Sequence, residues 1–216
     1  MNLTAALTIG AAVFGLVQVI PYVRSILKGH TKPSRVACLI WLLMDCVTFA
    51  GLVAVGFSGA AWLTLVFIIT QLVVIGLLPK YGVGGKSRFD LICFAIGICA
   101  IIGWVIIQQK FGQARYGAMF AVVLTTTAVA VANVNMLRKL IRLPLSEDVL
   151  AWALTIVAGG LTIIGLVVGH SQGRSQWIDF VPPSLTFFTS SLVVGIQMVQ
   201  KRRLGVSGLD GGAHVA

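Results

Sequence analysis

Seven apolar stretches, near residues 3–27, 35–56, 60–79, 90–109, 116–138, 148–169 and 178–200, leave this chain few ways to fold. At 1.5 Å of rise per residue, each is long enough to carry a helix across a hydrocarbon core of about 30 Å. The segments between them are short, so consecutive helices are expected to run antiparallel. The expected fold class is all-α integral membrane, a single domain over 1–206 with seven transmembrane helices. The polar residues 207–216 read as a disordered tail.

Charge fits the same reading. The chain is 58% hydrophobic and only 10% charged, far from soluble-domain usage. A net charge of +10 would suggest nucleic acid in a soluble protein. Here the cations sit in short loops between apolar runs, where they set orientation and meet anionic lipid headgroups. One side receives Arg24, Lys28, Lys32, Arg35, Lys80, Lys86, Arg88, Arg138, Lys139, Arg142, Lys201, Arg202 and Arg203; the other receives Lys110, Arg115 and Arg174. That asymmetry predicts an outer N-terminus and a cytoplasmic C-terminus in a bacterial inner (cell) membrane. The first 20 residues carry no Lys or Arg, so no cleavable signal peptide is expected. Cys38, Cys46, Cys93 and Cys99 form no CxxC pair and read as small packing residues.

The chain also echoes itself. Sliding residues 23–43 by 111 positions matches Val23/Val134, Lys28/Lys139, Pro33/Pro144, Leu39/Leu150, Trp41/Trp152 and Leu43/Leu154. Weak internal symmetry between membrane segments is how many transporters are built. A three-helix unit ends on the side opposite its start, so one extra helix is needed to return the chain before a parallel copy. The expected plan is a first three-helix repeat over 3–79, a linker helix at 90–109 and a second three-helix repeat over 116–203. Ala95, Cys99 and Gly103, at four-residue spacing, are expected to let the linker approach its neighbours closely.

Asp45 stands apart from the other acids. Asp90, Glu147, Asp148 and Asp179 fall near helix N-termini, where the macrodipole favours negative charge, and Ser34 and Ser146 sit at expected N-caps. Asp45 lies ten residues beyond Arg35, roughly 15 Å into the membrane. A carboxylate there costs on the order of 3 kcal/mol, and such groups face a cavity or a partner. It reads either as a proton-coupling or solute-binding group, or as a neutral acid bonded to a neighbouring helix. Gln71, Thr155, Thr189 and Ser190 share that depth, and with Asn133 they would line a polar site between the two units. Serine and threonine can also satisfy themselves on their own helix backbone. Trp41 and Trp152 are symmetry mates that would flank a substrate or pack between helices. Pro21, Pro182 and Pro183 fall within apolar helices and read as kinks or hinges, as does Gly159-Gly160.

Seven helices in a three-one-three plan, an outer N-terminus, the proline motif of the first helix and the paired tryptophans resemble the SWEET and PQ-loop transporter superfamily. The plan is also similar to that of the nicotinamide riboside carriers. The family's Pro-Gln stands here as Pro21-Tyr22, with Gln18 three residues earlier, and as Ala132-Asn133 in the second unit. The resemblance implies alternating access around a central pocket for a small solute, with Trp41, Trp152, Gln71 and Thr189–Ser191 falling where such pockets are lined. Asp45, Asn133 and Thr155 are the further candidates read from the residues themselves.

Other classes find less in the chain. His30, His170 and His214 lie in loops or the tail, so neither an intramembrane metal site nor a Ser-His-Asp set is expected, and an enzyme is not the reading. A retinal protein needs a lysine in its last helix, and 178–200 holds none. The expected partners are a small-molecule solute and the lipid bilayer, with no nucleic acid, cofactor or metal and with homo-oligomerisation open. The alternative is a non-transporting membrane sensor or a lipid-translocating protein.

Overall fold

The computed structural model describes residues 3–55, 59–85, 87–111, 115–173, 175 and 177–205; the tail 207–216 lies outside them. The elements are α1 (Leu3–Val17), α2 (Val19–Leu27), α3 (Arg35–Val55), α4 (Gly59–Tyr81), α5 (Arg88–Phe111), α6 (Arg115–Arg142), α7 (Val149–Ser171) and α8 (Val181–Leu204), with a 3-10 turn at Trp177–Phe180 before α8. With α1 and α2 taken as one broken rod, these are seven helices, and no strand lies among the described residues. Six candidate spans, Leu3–Leu27 and those on α3, α4, α5, α7 and α8, are long and apolar enough to cross a membrane. α6, 28 residues long, carries Thr125–Thr127, Asn133 and Asn135.

The break between α1 and α2 follows from Pro21. Its ring nitrogen has no hydrogen for the Val17 carbonyl, and the ring crowds that carbonyl. The helix closes at Val17 and restarts at Val19, leaving Gln18 at the joint. Pro182 and Pro183 behave differently. They occupy the first turn of α8 rather than its interior, where a missing N–H costs nothing because the first-turn donors have no helical partner. No mid-helix kink arises from them.

Helix ends carry their expected signals in part. The Ser34 hydroxyl accepts from Ala37 N–H at 3.3 Å and opens α3. α7 is capped by Asp148, which accepts from Ala151 N–H at 2.8 Å, and not by Ser146, whose buried hydroxyl has no partner. Gly205, at φ 67°, ends α8 in the left-handed conformation.

The most extensive helix contacts run between α1 and α7, α3 and α6, α7 and α8, and α3 and α4. α5 packs chiefly along α6, and less extensively along α3. Its buried face is Cys93, Gly97 and Ala100, with Ile40 side-chain carbons 3.4 Å from where a Gly97 Cβ would lie. Ala95 and Cys99, expected to make that contact, point outward. Gly159 is a packing site instead of a free hinge: its missing Cβ leaves room for Phe187 and the Pro183 carbonyl within 3.4–3.5 Å, and α7 runs through it unbroken.

Polarity is turned inside out. Ile20, Leu91, Phe188, Val134 and Ile141 are exposed, while Thr125, Asn133, Asn135, Ser190 and Gln197 are buried. Water would not tolerate that exterior, whereas hydrocarbon does; the arrangement is compatible with a multi-pass membrane protein.

One end gathers the loops after α2, α4 and α6. Arg35 N–H donates to Val83 O at 3.0 Å, Val83 N–H to Pro33 O at 2.9 Å, and Lys32 N–H to Ser146 O at 3.1 Å. Gly82 makes the first two possible: a Cβ there would lie 2.7 Å from the Leu78 carbonyl oxygen and 2.8 Å from Arg35 Cγ. Gly82→Ala is expected to cost about 1–3 kcal/mol, read as a fall of about 2–12 °C in Tm in detergent. Gly76→Ala, with nothing within 4 Å, should cause no loss; equal shifts for the two would overturn the account.

Candidate functional site

Near the middle of the bundle lies a cavity of about 110 Å³. Its wall draws on the α1–α2 joint and on α2, α3, α4, α6, α7 and α8, and among the described residues on none of α5. Trp41, Asp45, Gln71, Asn133, Trp152, Thr155, Thr189 and Ser190 all line it. Gln18, Tyr22, Cys38, Thr70 and Thr186 complete its polar side. Gln18 arrives through the helix break, for which Pro21 three residues on is the sequence signal.

The hydrogen bonds divide these side chains into two groups. The first is committed to protein. Trp41 Nε1–H donates to Asn133 Oδ1 at 2.9 Å, and Asn133 Nδ2–H donates to Thr189 Oγ1 at 2.9 Å. Trp152 Nε1–H donates to Glu147 Oε2 at 3.0 Å. The Thr155 hydroxyl donates to the Ala151 carbonyl at 3.0 Å, with Gln18 Oε1 at 3.4 Å. The indoles therefore do not offer free N–H groups on either side of a slot. Their rings meet edge to face, centroids 6.2 Å apart at 71°, and form one wall.

The second group has no protein partner. Gln71 Oε1 and the Ser190 hydroxyl are buried without a hydrogen bond. Asp45 is half-buried, and none of the hydrogen bonds or ion pairs of the described residues reaches its carboxyl group. Buried polar groups are normally satisfied, so two that are not, beside a half-buried carboxyl group without a partner, leave that space chemically incomplete.

A smaller cavity of about 40 Å³ adjoins the first and shares Asp45, Phe67, Val129 and Thr186 with it. Thr48, Thr64, Thr126, Pro182 and Pro183 line it as well, with Ala60, Leu63 and Leu185. The two prolines thus border this space, while Pro21 marks the break beside the larger one.

Beyond the indoles, toward the loops of the basic end, sits a buried ion pair that helix-dipole reasoning did not anticipate. Lys139 Nζ contacts Glu147 Oε1, with side-chain exposures of 8% and 1%. Lys139 also donates to the Lys32 carbonyl at 2.8 Å, and Gln197 Nε2–H donates to the Glu147 carbonyl at 3.2 Å. The Tyr22 hydroxyl reaches the same carboxylate. A second polar knot lies alongside: Ser34 donates to Asn135 Oδ1 at 3.0 Å, and Asn135 Nδ2–H donates to Asp90 Oδ1 at 2.7 Å. Together these join α3, α5, α6, α7 and α8 at that end.

No cluster of His, Cys, Asp or Glu able to hold a metal ion occurs among the described residues. Comparisons with known protein families, curated proteins and solved structures give no match to this chain.

Proposed function

We propose that this protein carries a small polar solute across a membrane by alternating access around the central cavity. The observation that carries the reading is the set Asp45, Gln71 and Ser190, partnerless polar side chains facing one space within apolar helices. A purely structural bundle would pair such groups or replace them with hydrocarbon. Two further features support the carrier plan, one resembling SWEET and PQ-loop transporters. Among the described residues the wall takes side chains from helices before and after α5 in the chain and none from α5 itself, which suits a linker. The packing also comes in matching pairs: α1 with α7 as α6 with α3, and α3 with α4 as α7 with α8. Two copies of one triplet, related by rotation about the bilayer normal, would pack this way. The proposal sets the basic end in the cytoplasm and the N-terminus outside, an orientation that the charge asymmetry of the loops supports.

On this reading the ion pair and the indoles close the cytoplasmic end, and the neighbourhood of Pro182 and Pro183 opens outward. Proton coupling through Asp45 is part of the proposal. Cys38 supplies a native reporter, since it is buried in this structure yet lines the cavity. With Cys46, Cys93 and Cys99 replaced by serine, a membrane-impermeant thiol reagent is expected to label Cys38 from the cytoplasmic side of oriented vesicles. The same vesicles should speed the flux of at least one member of a labelled panel of amines, sugars, nucleosides, amino acids and vitamins. A Cys38 that reacts only after denaturation, with flux equal to that of empty liposomes, would sink the reading.

A further inference from the structure

The cavity's chemistry narrows what it can hold, given the carrier reading above. Among the described residues its wall contains one carboxyl group, Asp45, and no Lys, Arg or His. Lys139, the buried cation at the basic end, is already engaged by Glu147 and the Lys32 carbonyl. A second acceptor, Gln71 Oε1, is buried without a donor. Trp41, Trp152 and Phe67 supply aromatic surface. An unpaired acid, an unmet acceptor and aromatic rings are the elements of a cation site. A solute bearing a carboxylate or phosphate would face Asp45 with no cation to receive it.

We propose that the solute is a small organic cation without an acidic group, and that Asp45 is its counter-ion. Gln71 Oε1 and the Ser190 hydroxyl would then take hydrogen bonds from its polar substituents, and the aromatic wall would lie against its charged or apolar part. The volume of about 110 Å³ restricts it to a compact molecule. Asp45 holds either the cation or a proton, so the two compete for one carboxylate. Tyr22 and Cys38 are the other titratable groups of the wall among the described residues.

The test uses thermal shift and calorimetry on the full chain in detergent, with probes of matched shape. Choline, N-methylpyridinium, guanidinium and ethylammonium are compared with 3,3-dimethylbutan-1-ol, the uncharged isostere of choline, and with glucose and acetate. At least one cation is expected to raise Tm saturably, binding at least tenfold more tightly than the neutral and anionic probes. Asp45→Asn should weaken that cation at least tenfold. The choline pair needs no variant, so a misfolded Asp45→Asn would not blunt the result. Equal binding of charged and uncharged isosteres, unchanged cation affinity in Asp45→Asn, or no cation binding at all would overturn the proposal. The outcomes also separate from those of the carrier reading. Flux of a neutral solute without cation binding ends this inference alone, whereas cation binding without flux or Cys38 access supports the site and ends the carrier.

Discussion

Glu147→Ala is expected to lower the unfolding midpoint in detergent by about 6–20 °C, the largest effect of any single substitution considered for this chain. The argument begins with what the substitution leaves behind. Lys139 keeps a side chain only 8% exposed and loses its carboxylate. Removing one partner of a buried pair costs about 3–5 kcal/mol, because the remaining charge is neither hydrated nor paired. Trp152 Nε1–H loses its acceptor as well. The Lys32 carbonyl does not rescue the ammonium, since it is one dipole against a full charge. Lys139→Met should cost a similar amount by leaving Glu147 alone. The double variant Lys139→Met with Glu147→Leu removes both charges together and should recover most of the loss. Intrinsic tryptophan fluorescence during heating reads all four proteins. A single-variant loss under about 1 kcal/mol, or a double variant no better than the singles, would show that the pair is solvated and weak.

This pair also marks where sequence reasoning stopped. Glu147 sits just before α7, and an acid there has a sufficient explanation in the helix dipole. Nothing in the order of residues tells that the loop turns it inward onto Lys139, eight positions earlier and at the end of α6. The repeat arithmetic gives no help, because Lys28 matches Lys139 but Val36 stands opposite Glu147. Depth along a helix, by contrast, is countable. Asp45, Gln71, Thr189 and Ser190 lie near the middles of their helices, and polar groups at one level of an apolar bundle have chiefly each other to face. Their gathering around one cavity is therefore a consequence that counting residues can reach.

Rotation about each helix axis is harder to read, and the departures come from there. Of the regular small stripe Ala95, Cys99 and Gly103, Gly103 does lie close to α6, with Leu124 3.5 Å from where its Cβ would be. Ala95 and Cys99 are exposed, and α5 turns Cys93, Gly97 and Ala100 inward because Ile40 and α6 fill that side. Trp41 and Trp152 share a register, but whether two indoles flank a gap or touch depends on a few degrees of rotation and on where their N–H groups find acceptors. Asn133 and Glu147 supply those acceptors and bring the rings together. Pro21 and the pair Pro182-Pro183 look alike as text. Only the place where each helix begins makes the first a break and the others an opening turn.

Asn133→Leu is expected to be nearly as damaging, at about 2–4 kcal/mol, and its route shows how the cavity wall is held. Trp41 Nε1–H can only donate, so the Asn133 oxygen must face it. The amide nitrogen then points at Thr189, whose hydroxyl oxygen accepts. The side chain, 7% exposed, thus joins α6 to α3 and α8 through one fixed orientation. Leucine fills the volume but leaves an indole N–H and a threonine oxygen unmet, at about 1–3 kcal/mol for each unsatisfied group. A double-mutant cycle isolates the first of these. In a Trp41→Phe background there is no N–H to strand, so Asn133→Leu should cost less by about 0.5–3 kcal/mol. The same loss should appear in access. With Trp41 no longer held against Trp152, the wall loosens toward the basic end, and Cys38 should react faster with an impermeant thiol reagent in Asn133→Leu than in the otherwise identical parent. Strict additivity in the cycle, with unaltered Cys38 labelling, would mean that the amide orders nothing around the cavity and that the indole pair stands by packing alone.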